Sequence, residues 1–169
     1  MPFDNIPGHD PRGPYWQGFA WSHWYRLDEL CGPLKQVRLR VDPEDKDKGF
    51  ETDKALYRIR LGRRRGLVYI GETSASARTR LRTHYQGIRA ARGLNKYPQH
   101  GPLGWYKGLA LPRNANLVIW ASWTPVPNLG KSDRRGVEAE LIAAYRAIMG
   151  KNPDYQWPGE DSDDEEGEW

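Results

Sequence analysis

Within the seven residues "RTRLRTH", positions 78 to 84, the chain places Arg78, Arg80, Arg82 and His84. A guanidinium presents a planar fork that meets two phosphate oxygens at once, where an ammonium acts as a point charge. Arg80 and His84 are four residues apart, so on a helix they share one face and both address the same anion. Two tyrosines, Tyr57 and Tyr69, precede them, and two glutamates, Glu138 and Glu140, follow in "VEAELI". Hydrolysing a phosphodiester requires an activated water, a cation against the charge on phosphorus and a stabilised leaving oxygen. These residue types supply each part. One or two carboxylates with several waters hold a hard divalent ion such as magnesium, so one glutamate suffices. The plainer reading is that the arginines form a solvated helix face and the tyrosines pack a core.

The elements that must position these residues are legible in part. "ALYRIRL" and "GLVYIG" read as strands joined by a short glycine-containing connector, an antiparallel hairpin with Tyr57 and Tyr69 on neighbouring strands. Along the first, Leu56, Arg58 and Arg60 alternate with Tyr57, Ile59 and Leu61. From Ser76 to Arg92, Ala77, Leu81, Ile88 and Ala91 keep helical spacing with arginines on the other faces. "ANLVIWASWTPVP" is a third strand. A last helix starts at Ser132 or Asp133 as N-cap, shows Val137, Leu141, Ala144 and Ile148 on one face, and stops at Gly150. "KQVRLRV" alternates with period two and predicts another strand; "WSHWYRLDEL" predicts a short helix; "NKYPQHGPLGWYKGLALP" reads as irregular. The fold class expected is α/β in the α+β sense, a small, mainly antiparallel three-stranded sheet flanked by helices. The expected division is an N-terminal arm and extension over 1–54, a core domain over 55–158 and a disordered acidic tail over 159–169.

Eight tryptophans and nine tyrosines in 169 residues give enough apolar area for one real core. The lone Cys31 excludes an internal disulfide and a cysteine-rich zinc site. Neither a long apolar run nor a secretory leader stands in the sequence, so the expected setting is cytoplasmic, with no membrane contact. The last eleven residues hold seven acids; removing them from the net +4 leaves +11 on residues 1 to 158. A surplus of that size on a small domain attracts polyanions, nucleic acid above all.

Five ordered elements resemble the GIY-YIG nuclease superfamily: "LYRI", "VYIGET", "RLRTH", the glutamate of "VEAELI" and the terminal "NPDYQ". The resemblance spans about residues 55 to 156. Its first motif stands here as "ALY", its second intact as Tyr69, Ile70 and Gly71. The resemblance implies a magnesium-dependent endonuclease acting on DNA, with Tyr57, Tyr69, Arg80, His84 and Glu138 catalytic and Glu138 also the metal ligand. A tyrosine serves there as a base only with help, which His84 or the water on the metal would give, since a free phenol titrates near pH 10. Arg80 fits the family's Arg-apolar-x-x-His pattern, with Arg78 competing for the same assignment because one extra residue separates Gly71 from the arginine. Glu138, followed by Leu141 and Ile142, fits the glutamate pattern better than Glu140. Gly71, Thr73, Arg78, Arg82 and Gln156 are the substrate-binding candidates: Gly71 to bring backbone close to the phosphate, Gln156 in place of the family's asparagine, with Asn152 as its rival. The alternative function is a non-catalytic nucleic-acid-binding module on the same scaffold, supported by the basic core and by the aromatic-basic run around Trp105.

Overall fold

The structure, a computed structural model, describes residues 9–42, 44, 49–63, 66–93 and 103–156. Strands β1 (Tyr15–Trp16) and β2 (Phe19–Ala20) form a small hairpin, followed by β3 (Tyr25–Arg26), α1 (Leu27–Leu30) and α2 (Leu34–Arg40). Then come β4 (Ala55–Leu61), β5 (Tyr69–Thr73), α3 (Ala77–Ala91), α4 (Leu103–Ala110), β6 (Ile119–Pro125) and α5 (Lys131–Met149). The main sheet is antiparallel in every pair, with strand order β3-β6-β4-β5. It therefore has four strands where three were expected. The fourth, β3, comes from the segment read as a short helix; of that segment only Leu27–Leu30 is helical.

Both faces of the sheet are covered. Tyr57, Ile59 and Leu61 of β4 point into a core shared with Leu30, Val37, Phe50, Leu81, Ile88 and Trp123. Leu56 points the other way, into a core with Trp16, Trp21, Ile70, Leu141 and Tyr145. The N-terminal segment thus contributes to both cores. Arg58, on the second face, is fully buried. Its guanidinium donates to the carbonyls of Pro11 and Gly13 and stacks 4.5 Å and 4.7 Å from the rings of Trp21 and Trp24. A buried cation persists only when its donors are satisfied, and here carbonyls and indole faces replace water.

Several local expectations change for physical reasons. "KQVRLRV" is helix α2, and Leu39 is 82% exposed; Val37 and Val41, four residues apart, are the pair that buries. A helix with a basic last turn, Arg38 bonded to Glu51 and Arg40 to Glu29, wins over the period-two pattern. Residues 103–110 of the stretch read as irregular are helix α4, while its first part lies outside the described residues. The last helix begins at Lys131 after Gly130, and Leu141 and Tyr145 are its deepest apolar positions. Gly150 ends it in the left-handed conformation, φ 78°. Ser76 caps α3 by accepting from the Thr79 N–H at 3.1 Å. The acidic tail and the first eight residues lie outside the described residues. Among the described residues no helix is long and apolar enough to cross a membrane.

Candidate active site

β5 is an edge strand, and its pairing with β4 sets Tyr57 opposite Gly71 and Tyr69 opposite Ile59. The Tyr57 and Tyr69 rings stack with centroids 6.1 Å apart. His84, from α3, closes the group at 5.4 Å from the Tyr57 ring and 5.8 Å from the Tyr69 ring. Its Nε2 lies 2.6 Å from Tyr57 Oη and its Nδ1 2.7 Å from Tyr106 Oη. Burial, with Arg80 adding to it, holds the imidazole well below its usual range, so it is neutral. Burial likewise pushes the phenols of Tyr57 and Tyr69 up, with neighbouring charge a smaller cause.

Two expected roles meet specific contacts. At Gly71 the space a Cβ would take is filled by the ring of Tyr57. The glycine lets the two motif strands carry a stacked tyrosine pair. His84 is 1% exposed with a phenol at each nitrogen, so its ring contacts are with Tyr57 and Tyr106.

The arginines of α3 divide by face. Arg80 is half-buried, and its guanidinium makes no hydrogen bond or ion pair among the described residues. Its charge acts on Tyr57, Tyr69, His84, Tyr106 and Glu138. A half-buried cation that closes no ion pair among the described residues has donors available to an anion. Arg78 and Arg82, two residues to either side, instead act on Cys31, whose thiol burial pushes up to about 12. The 3.6-residue period thus separates the rival assignments, and Arg80 alone of the three joins the tyrosines.

Glu138 reaches the same place from α5. Burial first, and then Glu72, raise its carboxyl to about 7, while the Glu72 N–H, Arg135 and Arg80 pull the other way. Glu140 is exposed on another side of the helix. Glu72 is itself held: its Oε2 accepts from Arg134 Nε at 2.9 Å, and the buried Arg134 also donates to Leu129 O at 2.8 Å. Among the described residues no cluster of three His, Cys, Asp or Glu side chains could hold a metal. The donor set nonetheless fits a hard divalent ion, which takes a single carboxylate plus waters and relieves the desolvation and repulsion that raise Glu138.

The remaining substrate candidates are structural in their contacts. Thr73 is buried and accepts the Ala75 N–H at 3.0 Å, forming the turn into α3. Gln156 accepts from the Ile70 N–H at 2.8 Å and donates to the Ile70 carbonyl at 3.1 Å, pairing the open edge of β5. Both of these amide contacts are to backbone. Asn152 instead accepts from Arg146 at 2.9 Å. Sequence reasoning missed Tyr106, Glu72 and Arg134. Gly87 was the available signal for Tyr106: a glycine inside a helix is unfavourable, and a Cβ there would overlap the Tyr106 ring. No family model, curated protein or solved structure matches the chain.

Proposed function

We propose that the chain is a metal-dependent endonuclease of the GIY-YIG kind that hydrolyses phosphodiester bonds in DNA. The observation that carries this reading is convergence: Tyr57 from β4, Tyr69 from β5, Arg80 and His84 from α3, and Glu138 from α5 act on one another at the β5 edge. Packing alone explains a stacked tyrosine pair. It gives no reason for a half-buried arginine that makes no ion pair among the described residues, beside a half-buried carboxyl raised to about 7.

In this reading Glu138 would hold the divalent ion, and one carboxylate suffices because magnesium keeps several of its waters. When bound, that ion supplies Lewis-acid stabilisation of the phosphate oxygens. Arg80 binds a non-bridging oxygen and meets the charge that grows there in the transition state. Tyr57 takes a proton from the attacking water, with His84 behind it; Tyr69 narrows the space in which that water sits. Gln156 and Arg134 keep β5 and Glu72 in place. The +11 balance of residues 1 to 158 suits a polyanionic substrate. Incubating the full chain with supercoiled plasmid and with branched DNA, with magnesium and with EDTA, tests the proposal. Magnesium-dependent strand breaks are the expected result; tight binding without breaks in either buffer rejects hydrolysis in favour of a binding module.

A further inference from the structure

His84 meets a hydroxyl at each ring nitrogen, and Tyr106 is the partner to which the mechanism above gives no task. Tyr106 Oη lies 2.7 Å from Nδ1, opposite the 2.6 Å contact of Nε2 with Tyr57 Oη. Tyr57, His84 and Tyr106 are each at most 2% exposed. Gly87, one turn beyond His84 on α3, makes the room for the Tyr106 ring. The sequence thus accepts an unfavourable mid-helix glycine to bring a third phenol against the imidazole.

A neutral imidazole has one N–H and one lone pair, and its neighbours decide which nitrogen carries which. Tyr57 keeps its own proton near neutrality. A protonated phenol takes a proton from water only by giving its own away in the same event. Nε2 of His84 is the acceptor at hand, and it must then be the nitrogen with the lone pair. The proton sits on Nδ1, where it needs an acceptor of its own in a buried setting. Tyr106 Oη stands at that position.

We propose that Tyr106 is a positioning residue that accepts the Nδ1–H of His84 and thereby holds the Nε2 lone pair towards Tyr57. The inference rests on the nuclease reading. As the water oxygen's electron pair forms the new bond to phosphorus, a water proton passes to Tyr57 Oη and the original phenol proton passes to Nε2. The leaving oxygen departs with the electron pair of the broken P–O bond. It then takes a proton from solvent, while His84 returns its extra proton through Tyr57 to solvent, so one water has been added in all. Among the described residues, Arg80 from α3, Tyr69 from β5 and Glu138 from α5 are titratable or charged groups that also act on this chain. Arg80 disfavours a lasting imidazolium, which keeps the proton's stay on His84 brief.

Nitrogen-15 spectra of the full chain, wild type and Tyr106→Phe, read the tautomer directly, and thermal melts of both confirm that the variant is folded. The expected result is a wild-type His84 protonated at Nδ1, which moves towards Nε2–H in Tyr106→Phe. With it goes a loss of turnover of about a hundredfold, the lower range for a general-base contribution, at unchanged DNA affinity. A wild-type His84 protonated at Nε2 overturns the proposal, whether or not the variant folds. So does a Tyr106→Phe protein that keeps both the tautomer and the turnover. A tautomer that behaves as expected in a protein that never cleaves DNA upholds the role of Tyr106 towards His84 and refutes the nuclease reading alone.

Discussion

Acidification from pH 7 to pH 5 in EDTA changes the stability of the wild type little and that of Glu138→Gln substantially. His84 is neutral in the fold, its titration depressed by burial, while an unfolded histidine titrates near about 6.5. Below that pH the unfolded chain binds a proton that the native chain does not, so stability falls as pH falls, by about 1.4 kcal/mol per unit. Glu138 has the opposite sign. Its folded carboxyl titrates at about 7 against an ordinary 4.5, so between those values the native state binds the extra proton and stability rises as pH falls. From these two groups the wild type is nearly flat between pH 6.5 and 5. Glu138→Gln removes the compensating group and exposes the histidine slope, a loss of about 2 kcal/mol at pH 5. For a chain of this length that is a fall in Tm of about 4–8 °C. Melting curves by circular dichroism at the two pH values measure it. A variant as flat as the wild type refutes the neutral, buried His84, and a wild type that falls as steeply as the variant refutes the raised carboxyl of Glu138.

Gly71→Ala places a methyl group where the Tyr57 ring lies, so it costs about 1–3 kcal/mol of stability in urea unfolding by overpacking and disturbs the Tyr57 to His84 contact. Arg134→Met leaves the Glu72 carboxylate without its buried partner; a loss of about 3–5 kcal/mol in the same assay is expected, and a change under 1 kcal/mol would mean the pair is solvated. Arg80→Ala lowers turnover by about a hundredfold to a thousandfold, while Arg78→Ala and Arg82→Ala act mainly on salt-dependent DNA affinity; Arg78→Ala with the larger effect on turnover would reverse the assignment of helix faces.

The elements that bear the candidate site follow the sequence pattern more closely than the frame around them does. Tyr57, Tyr69, Arg80 and His84 lie on strands and a helix whose periods are strong, and α3 runs from Ala77 to Ala91, close to the expected Ser76 to Arg92. Their mutual approach follows from the β4–β5 register and the four-residue step. Local pattern misled at α2, because Val37, Leu39 and Val41 fit a strand and only tertiary contact reveals that Leu39 faces water. Gly71 was expected to bring backbone close to a phosphate, and no one-dimensional signal says that the ring of Tyr57 occupies the space beside it. Glu72 was out of reach for the same cause, since it acts through Glu138, 66 residues away, and Tyr106, whose partner His84 lies 22 residues away, left only the indirect signal of Gly87.

Glu138 is the residue on which the metal, the carboxyl titration and the hydrolytic reading all meet, so its removal is the most direct test of the whole account. Cleavage of supercoiled plasmid in magnesium should be abolished in Glu138→Ala and retained in Glu140→Ala, with DNA affinity close to wild type in both, because the basic surface carries binding. Strand breaks that persist in Glu138→Ala, or that disappear equally in Glu140→Ala, would contradict it.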